Sequence, residues 1–268
     1  GTTYDDTGLD DDTEYTYKVQ AFDGVGNLSP FSNEASATTE AGGIVTENLF
    51  AQWEPANWNG IDANWVATNN SELSLENVEA VKEGDYIRLT LENEDEPAGT
   101  CFRSTGAGQL SLGSNSVSVS FFVKFDAMNS SNYVFDASNG DTATTGLNLV
   151  FTDATTLQAY VKDQSEGFLS TTVTTSNPSG AWHQFAMVAN KDTSTMKIYR
   201  DGVEIASGND GTSLADVVES YNPWMYGRSV LNDFGMNGLI GQLLVYNKAL
   251  TGAEVLQNFN ASKAYYGL

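Results

Sequence analysis

Apolar and polar residues alternate along most of this chain, and almost no stretch keeps the period of a helix. Runs such as "YIRLTL", "SVSVSFFVKF", "NYVFDA", "GLNLVFT", "TLQAYVKD", "STTVTT" and "LIGQLLVYN" follow one another at short spacing, broken by Gly, Asn and Asp. That pattern predicts many short antiparallel strands packed as two sheets. The stretch "AWHQFAMVANKDTSTMKIYRDGVEIASG", residues 181–208, predicts a hairpin across a polar turn and then a second tight turn at "DG". The exception is "ALTGAEVLQNFNASKA", where Thr251 and Glu254 have the spacing of a capping box, so one short helix is expected near the C-terminal end.

Two resemblances organise these elements. Residues 1–39, with "GLDDDTEYTYKVQAFDGVGNLSPFSNEASATT" and Tyr15 at the tyrosine-corner position, resemble the C-terminal half of a fibronectin type III domain. Half a sandwich lacks its facing sheet, so the chain is expected to be a piece of a longer polypeptide, the alternative being that another subunit donates the missing strands. "EAGG" at 40–43 reads as a linker. Beyond it, "WHQFAMVANKDTSTMKIYRDGVEIASG", "WMYGRS" and "GMNGLIGQLLVYNKALTGAEVLQNF" are similar to the laminin-G-like, concanavalin A-like lectin domains of bacterial extracellular and phage virion proteins. The resemblance implies an all-β fold, a single jelly-roll sandwich over residues 44–268. It also implies that Trp182 packs into the core and that His183 is structural.

Charge narrows the partners. The chain has 268 residues, with 35 acidic against 12 Lys and Arg and a formal charge of −23. Such a surface repels nucleic acid and anionic membranes and suits neutral glycans and divalent cations. One cysteine, Cys101, allows no internal disulfide, and no apolar run reaches the roughly twenty residues of a membrane span. An extracellular location is expected, with an export signal upstream of the "GTTYDD" start or another export route.

Catalytic patterns are weak. Glu92, Glu94 and Glu96 in "LENEDEPAG" have the alternation of paired glycosidase carboxylates, but the residues between them are Asn93 and Asp95, and Pro97 follows. They read as a solvated loop. His183 is the sole histidine, and no nucleophile motif accompanies it. The chain therefore reads as not an enzyme, with a polysaccharide-degrading enzyme as one alternative.

Binding chemistry is richer. Sugars are held by flat aromatic faces and by planar Asn, Asp and backbone groups. "QWEPANWNGIDANW" offers Trp53, Trp58 and Trp65 among Asn and Asp, and "ESYNPWMYGRS" offers Tyr221, Trp224, Tyr226 and Arg228. Each of these aromatics also has a plain reading as core. The oxygen-rich turn "FDASNGDT" places Asp136, Asn139 and Asp141 where Ca²⁺ ligands would be, although an Asn-Gly hairpin turn needs no metal. The function expected is a noncatalytic extracellular carbohydrate-binding or adhesion module. A second alternative is a surface or virion decoration domain that contacts other subunits and binds no sugar.

Overall fold

The computed structural model describes the chain except residues 1–5, 7–8, 10–12, 40–41, 91–99, 105–115, 129–130, 138–145, 163–166, 210–212, 214–224 and 227–234, and at residues 225–226 it describes the backbone alone. In chain order the strands are β1 (Glu14–Tyr17), β2 (Ala35–Thr38), β3 (Leu49–Trp53), β4 (Asn64–Val66), β5 (Ser74–Val78), β6 (Val81–Glu83), β7 (Tyr86–Leu89), β8 (Cys101–Ser104) and β9 (Val117–Phe125). They continue as β10 (Asn132–Asp136), β11 (Gly146–Phe151), β12 (Thr156–Lys162), β13 (Phe168–Thr174), β14 (Trp182–Asn190), β15 (Thr195–Arg200), β16 (Val203–Gly208), β17 (Met225–Tyr226) and β18 (Gly238–Tyr246). Helix α1 spans Gly252–Ser262, followed by a 3-10 turn at Lys263–Tyr266.

These strands pair into two sheets and a separate hairpin. Sheet I has the order β13-β12-β11-β10-β17-β8-β5-β4, and sheet II the order β16-β15-β14-β9-β18-β7-β6, with β3 also on β18. The strands expected from the alternation appear within these sheets. Period-two alternation turns one face of each strand inward, and the two inward faces form one core. Phe121, Phe125, Phe185, Met187 and Ile240 of sheet II meet Leu147, Leu149, Phe151, Leu157 and Val161 of sheet I, all fully buried. Phe151 stands edge-on to Phe185 at 5.3 Å, the arrangement that ring quadrupoles favour.

Turn chemistry sets the sheet II hairpin as the sequence predicts. Asp201 and Gly202 adopt φ of 52° and 77°, the left-handed pair of a type I′ turn that matches strand twist. The Asp201 backbone N–H donates to Gln184 O, and its Oδ1 accepts from Gln184 N, which locks the turn onto β14. Helix α1 carries the expected capping box, with Glu254 N donating to Thr251 Oγ1 and Thr251 N to Glu254 Oε2. The helix covers part of the outer face of sheet II, where Tyr199, Leu244, Tyr246, Leu250 and Val255 form a second, smaller core.

Strands β1 and β2 pair antiparallel, Glu14 opposite Thr38, as a sheet of their own. The side chains of Val19, Phe22, Val25, Leu28 and Phe31 in the connection between them are exposed.

Candidate carbohydrate-binding site

Trp53, Trp58 and Trp65, expected as sugar platforms, turn out to be walls. Trp53 and Trp65 are fully buried and Trp58 nearly so, in the core between the sheets. Each indole N–H is spent on a nearby carbonyl: Trp53 on Trp65 O at 3.0 Å, Trp65 on Glu54 O at 3.0 Å, and Trp58 on Asp62 O at 2.9 Å. Trp58 and Trp65 both stand edge-on to Phe102 at 5.1 Å. A ring enclosed on both faces cannot stack on a sugar, so these residues hold the loop of residues 54–63 and do not present it. Trp182 is buried as expected, in a small core on the outer face of sheet II with Phe122, Leu239 and Tyr266.

His183 is a strut. Arg200 Nη2 lies 2.8 Å from its Nε2, and Asp201 Oδ2 lies 2.7 Å from its Nδ1. A guanidinium only donates, so Nε2 accepts from Arg200, whose Nε also lies 3.4 Å from Nδ1. Arg200 Nη1 also donates to Thr175 Oγ1, Ser176 Oγ and Ser176 O, which fastens the end of β13 to β15, and its guanidinium lies over Phe185 at 5.8 Å. The imidazole therefore faces one carboxylate and one guanidinium, with both nitrogens engaged.

Sheet I presents the feature best suited to a ligand. Strand register lines up Ser170, Tyr160, Asn148, Asp136, the Met225 backbone, Arg103, Glu76 and Asn64 in one row across the sheet. Their neighbours Leu149, Ala159, Leu169, Phe135, Phe102, Leu75 and Trp65 are in the core, so the row lies on the sheet face away from that core. Beside it the rings of Tyr160 and Phe168 lie 6.1 Å apart and 32° from parallel, a near-continuous aromatic surface over β12 and β13. Burial pushes the hydroxyl pKa of Tyr160 up, and burial with the charge of Asp136 does the same for Tyr133. Among the described residues, Asn148 Oδ1 is a buried acceptor without a hydrogen-bond partner.

Carboxylate spacing limits what this row does. Asp136 is almost fully buried near the middle. Glu76 lies three strand spacings away, about 14 Å at the usual separation, and Arg103 Nε donates to it at 2.8 Å. Paired glycosidase carboxylates stand about 5–9.5 Å apart. Among the described residues, no cluster of His, Cys, Asp and Glu is fit to hold a metal.

Asp136 ends β10, and β11 resumes at Gly146, so the other Ca²⁺ ligands expected here, Asn139 and Asp141, lie outside the described residues. So do Tyr221, Trp224 and Arg228, together with Glu92, Glu94 and Glu96. Tyr226 is placed by its backbone alone, between Phe135 of β10 and Phe102 of β8. Alternation in the sequence points to Tyr160 and Asn148 as outward-facing, but register is needed to bring Asp136 beside them.

Comparison with known proteins agrees with this architecture. The family described as the concanavalin A-like lectin/glucanases superfamily matches residues 101–256. An alpha-amylase of Niallia circulans is 56% identical over 45 residues, which is 17% of this chain and 4% of that protein. Among solved structures, one is of botulinum neurotoxin type C, whose cell entry depends on two ganglioside molecules. It superposes with a TM-score of 0.59 at 14% identity, over 80% of this chain and 51% of that one. A sialidase of Trypanosoma rangeli superposes with a TM-score of 0.60 at 12% identity, over 81% of this chain and 33% of that one. At these identities the superpositions establish the fold. The chain spans about half the neurotoxin chain, a third of the sialidase and a small fraction of the amylase.

Proposed function

Because this chain belongs to the concanavalin A-like lectin/glucanases superfamily, we propose that it is a noncatalytic, extracellular carbohydrate-binding module whose binding face is the outer side of sheet I. The observation that carries this is the register-built row of Tyr160, Asn148 and Asp136 beside Phe168, an aromatic surface next to planar polar groups. The gangliosides named for the neurotoxin relative support the class of ligand. Spacing of the described carboxylates on this face supports binding over hydrolysis.

In the same proposal residues 1–39 belong to a fibronectin type III spacer and residues 44–268 are the binding domain. The exposed Val19, Phe22 and Phe31 suit a layer that faces another sheet. The parent is a secreted bacterial protein acting on polysaccharide or a phage virion surface protein. No described helix is long and apolar enough to cross a membrane.

A glycan array probed with the full chain tests the reading, together with a reducing-sugar assay on each polysaccharide bound. Binding to at least one glycan without release of reducing ends is expected. An empty array points instead to a decoration domain, and steady release of reducing ends points to an enzyme.

A further inference from the structure

The outer face of sheet II, opposite the proposed binding face, holds a second constellation. Ile240 pairs with Val123 and Leu243 with Phe121, so Gly241 and Gln242 both stand opposite Phe122 in a β-bulge. Bulges re-aim side chains, and this one has two consequences. Gly241 leaves room for Tyr266: a Cβ there would lie 2.6 Å from the Tyr266 hydroxyl, and Tyr266 stacks on Phe122 at 4.0 Å and 11°. Gln242 is turned to Glu54, donating from Nε2 to Oε1 at 2.6 Å, while Gln52 Nε2 donates to the same oxygen at 2.7 Å. Ser262 Oγ donates to Gln242 Oε1 at 3.3 Å, which fixes the amide that fixes the carboxylate.

Beside Glu54 stands an aromatic corner. Tyr265 is 46% exposed, and its ring lies 5.7 Å from that of Tyr86 at 76°. Hydrogen bonds from Tyr86 Oη to Tyr265 O and from Tyr265 Oη to Asp85 O hold both rings in place. Gln242 joins this corner to Glu54: its Nε2 donates to Glu54 Oε1, its backbone N–H donates to the Tyr266 hydroxyl at 2.7 Å, and the Tyr266 ring lies 5.1 Å from that of Tyr265.

We propose that Tyr265, Tyr86 and Glu54 form a second sugar site, selective for neutral glycans. Tyr265 offers an exposed ring face to sugar C–H groups, and Oε2 of Glu54, the oxygen the two amides leave open, accepts a sugar hydroxyl. Both amides donate to the inner oxygen, so the outer one is oriented before any ligand arrives. Glu54, Asp85 and the overall charge of −23 repel carboxylated and sulfated sugars. The site goes beyond the sheet I reading and does not depend on Tyr160 or Asn148.

Calorimetric titration of the full chain with cello-, laminari-, xylo- and mannohexaose, with 3′-sialyllactose and tetramethylammonium for comparison, tests this on the wild type and on variants. Tyr160→Ala disables the sheet I face and is expected to leave binding of a neutral hexasaccharide. In that background Glu54→Gln, equal in volume and still able to accept from both amides, and Tyr265→Ala should each weaken it about tenfold or more. The second site is overturned, and the module reading left standing, if Tyr160→Ala alone abolishes binding that the wild type shows. Neutral affinity indifferent to both sheet II changes, or tighter binding of sialyllactose or tetramethylammonium, overturns it too. A wild type that binds none of the sugars overturns both.

Discussion

Replacing Asn258 by leucine should loosen the clasp between the two ends of the sandwich. Asn258 is fully buried on α1, and its Oδ1 accepts from Val45 N at 2.8 Å across 213 positions of sequence. Its Nδ2 donates to Tyr246 Oη at 3.1 Å, and that hydroxyl donates to Val45 O at 3.0 Å, closing a triangle of helix, β18 and the segment before β3. Leucine has a similar shape, so the change removes hydrogen bonds without opening a large cavity. It leaves the buried Val45 N–H without an acceptor, costing about 1–3 kcal/mol, and removes a second bond worth about 1 kcal/mol. Added apolar burial returns part of that, about 0.8 kcal/mol per methylene. The net expectation is about 2 kcal/mol, which in a domain of this size lowers Tm by about 4–8 °C. Urea unfolding followed by tryptophan fluorescence measures it. Because Tyr246→Phe breaks the same triangle, the double variant should cost less than the sum of the single changes. A loss below about 0.5 kcal/mol, or full additivity, would mean that the triangle does not act as a unit.

Three further outcomes follow from single sites. Gly241→Ala forces a Cβ within 2.6–2.8 Å of the Tyr266 ring and hydroxyl; an overpacking cost of about 1–3 kcal/mol and a changed near-ultraviolet dichroism are expected, and an unchanged spectrum would refute the packing argument. Asp153 accepts from the backbone N–H groups of Thr155 and Thr156, which holds its pKa at about 2, below the ordinary 3.8. Its contribution is present above 3.8 and is lost as pH falls through about 2, so the gap in Tm between wild type and Asp153→Ala should be widest near neutrality and close across that acidic window. If Ca²⁺ binds at Asp136, millimolar Ca²⁺ should raise the melting temperature relative to chelator and Asp136→Asn should abolish the difference; melting indifferent to both removes the calcium proposal.

Much of the architecture was legible from local pattern. Strand β12 alternates cleanly, the nine-residue strands of sheet II read as apolar-rich runs, "DG" at Asp201 and Gly202 specifies its turn, and Thr251 with Glu254 marks the start of α1. Strands β3 to β6 and β8 escaped notice because they are three to five residues long, too short for alternation to stand out. The tryptophans misled for a related reason. Their sequence neighbours are Asn, Asp and Gly, as in a binding loop, yet the rings turn into a core whose other walls, such as Phe102, come from distant strands.

By itself the order of residues determined the fold class, the hairpin turn, the helix cap and an acidic surface, since periodicity, turn conformation, capping and charge depend on residues within a few positions of one another. Tertiary structure alone decided which aromatics are covered, that His183 is clamped between Arg200 and Asp201, and that Asp136 stands beside Asn148. It also decided that a bulge aims Gln242 at Glu54. Those facts rest on strand register and on which face another layer covers, and both are settled by contacts between segments far apart in the chain.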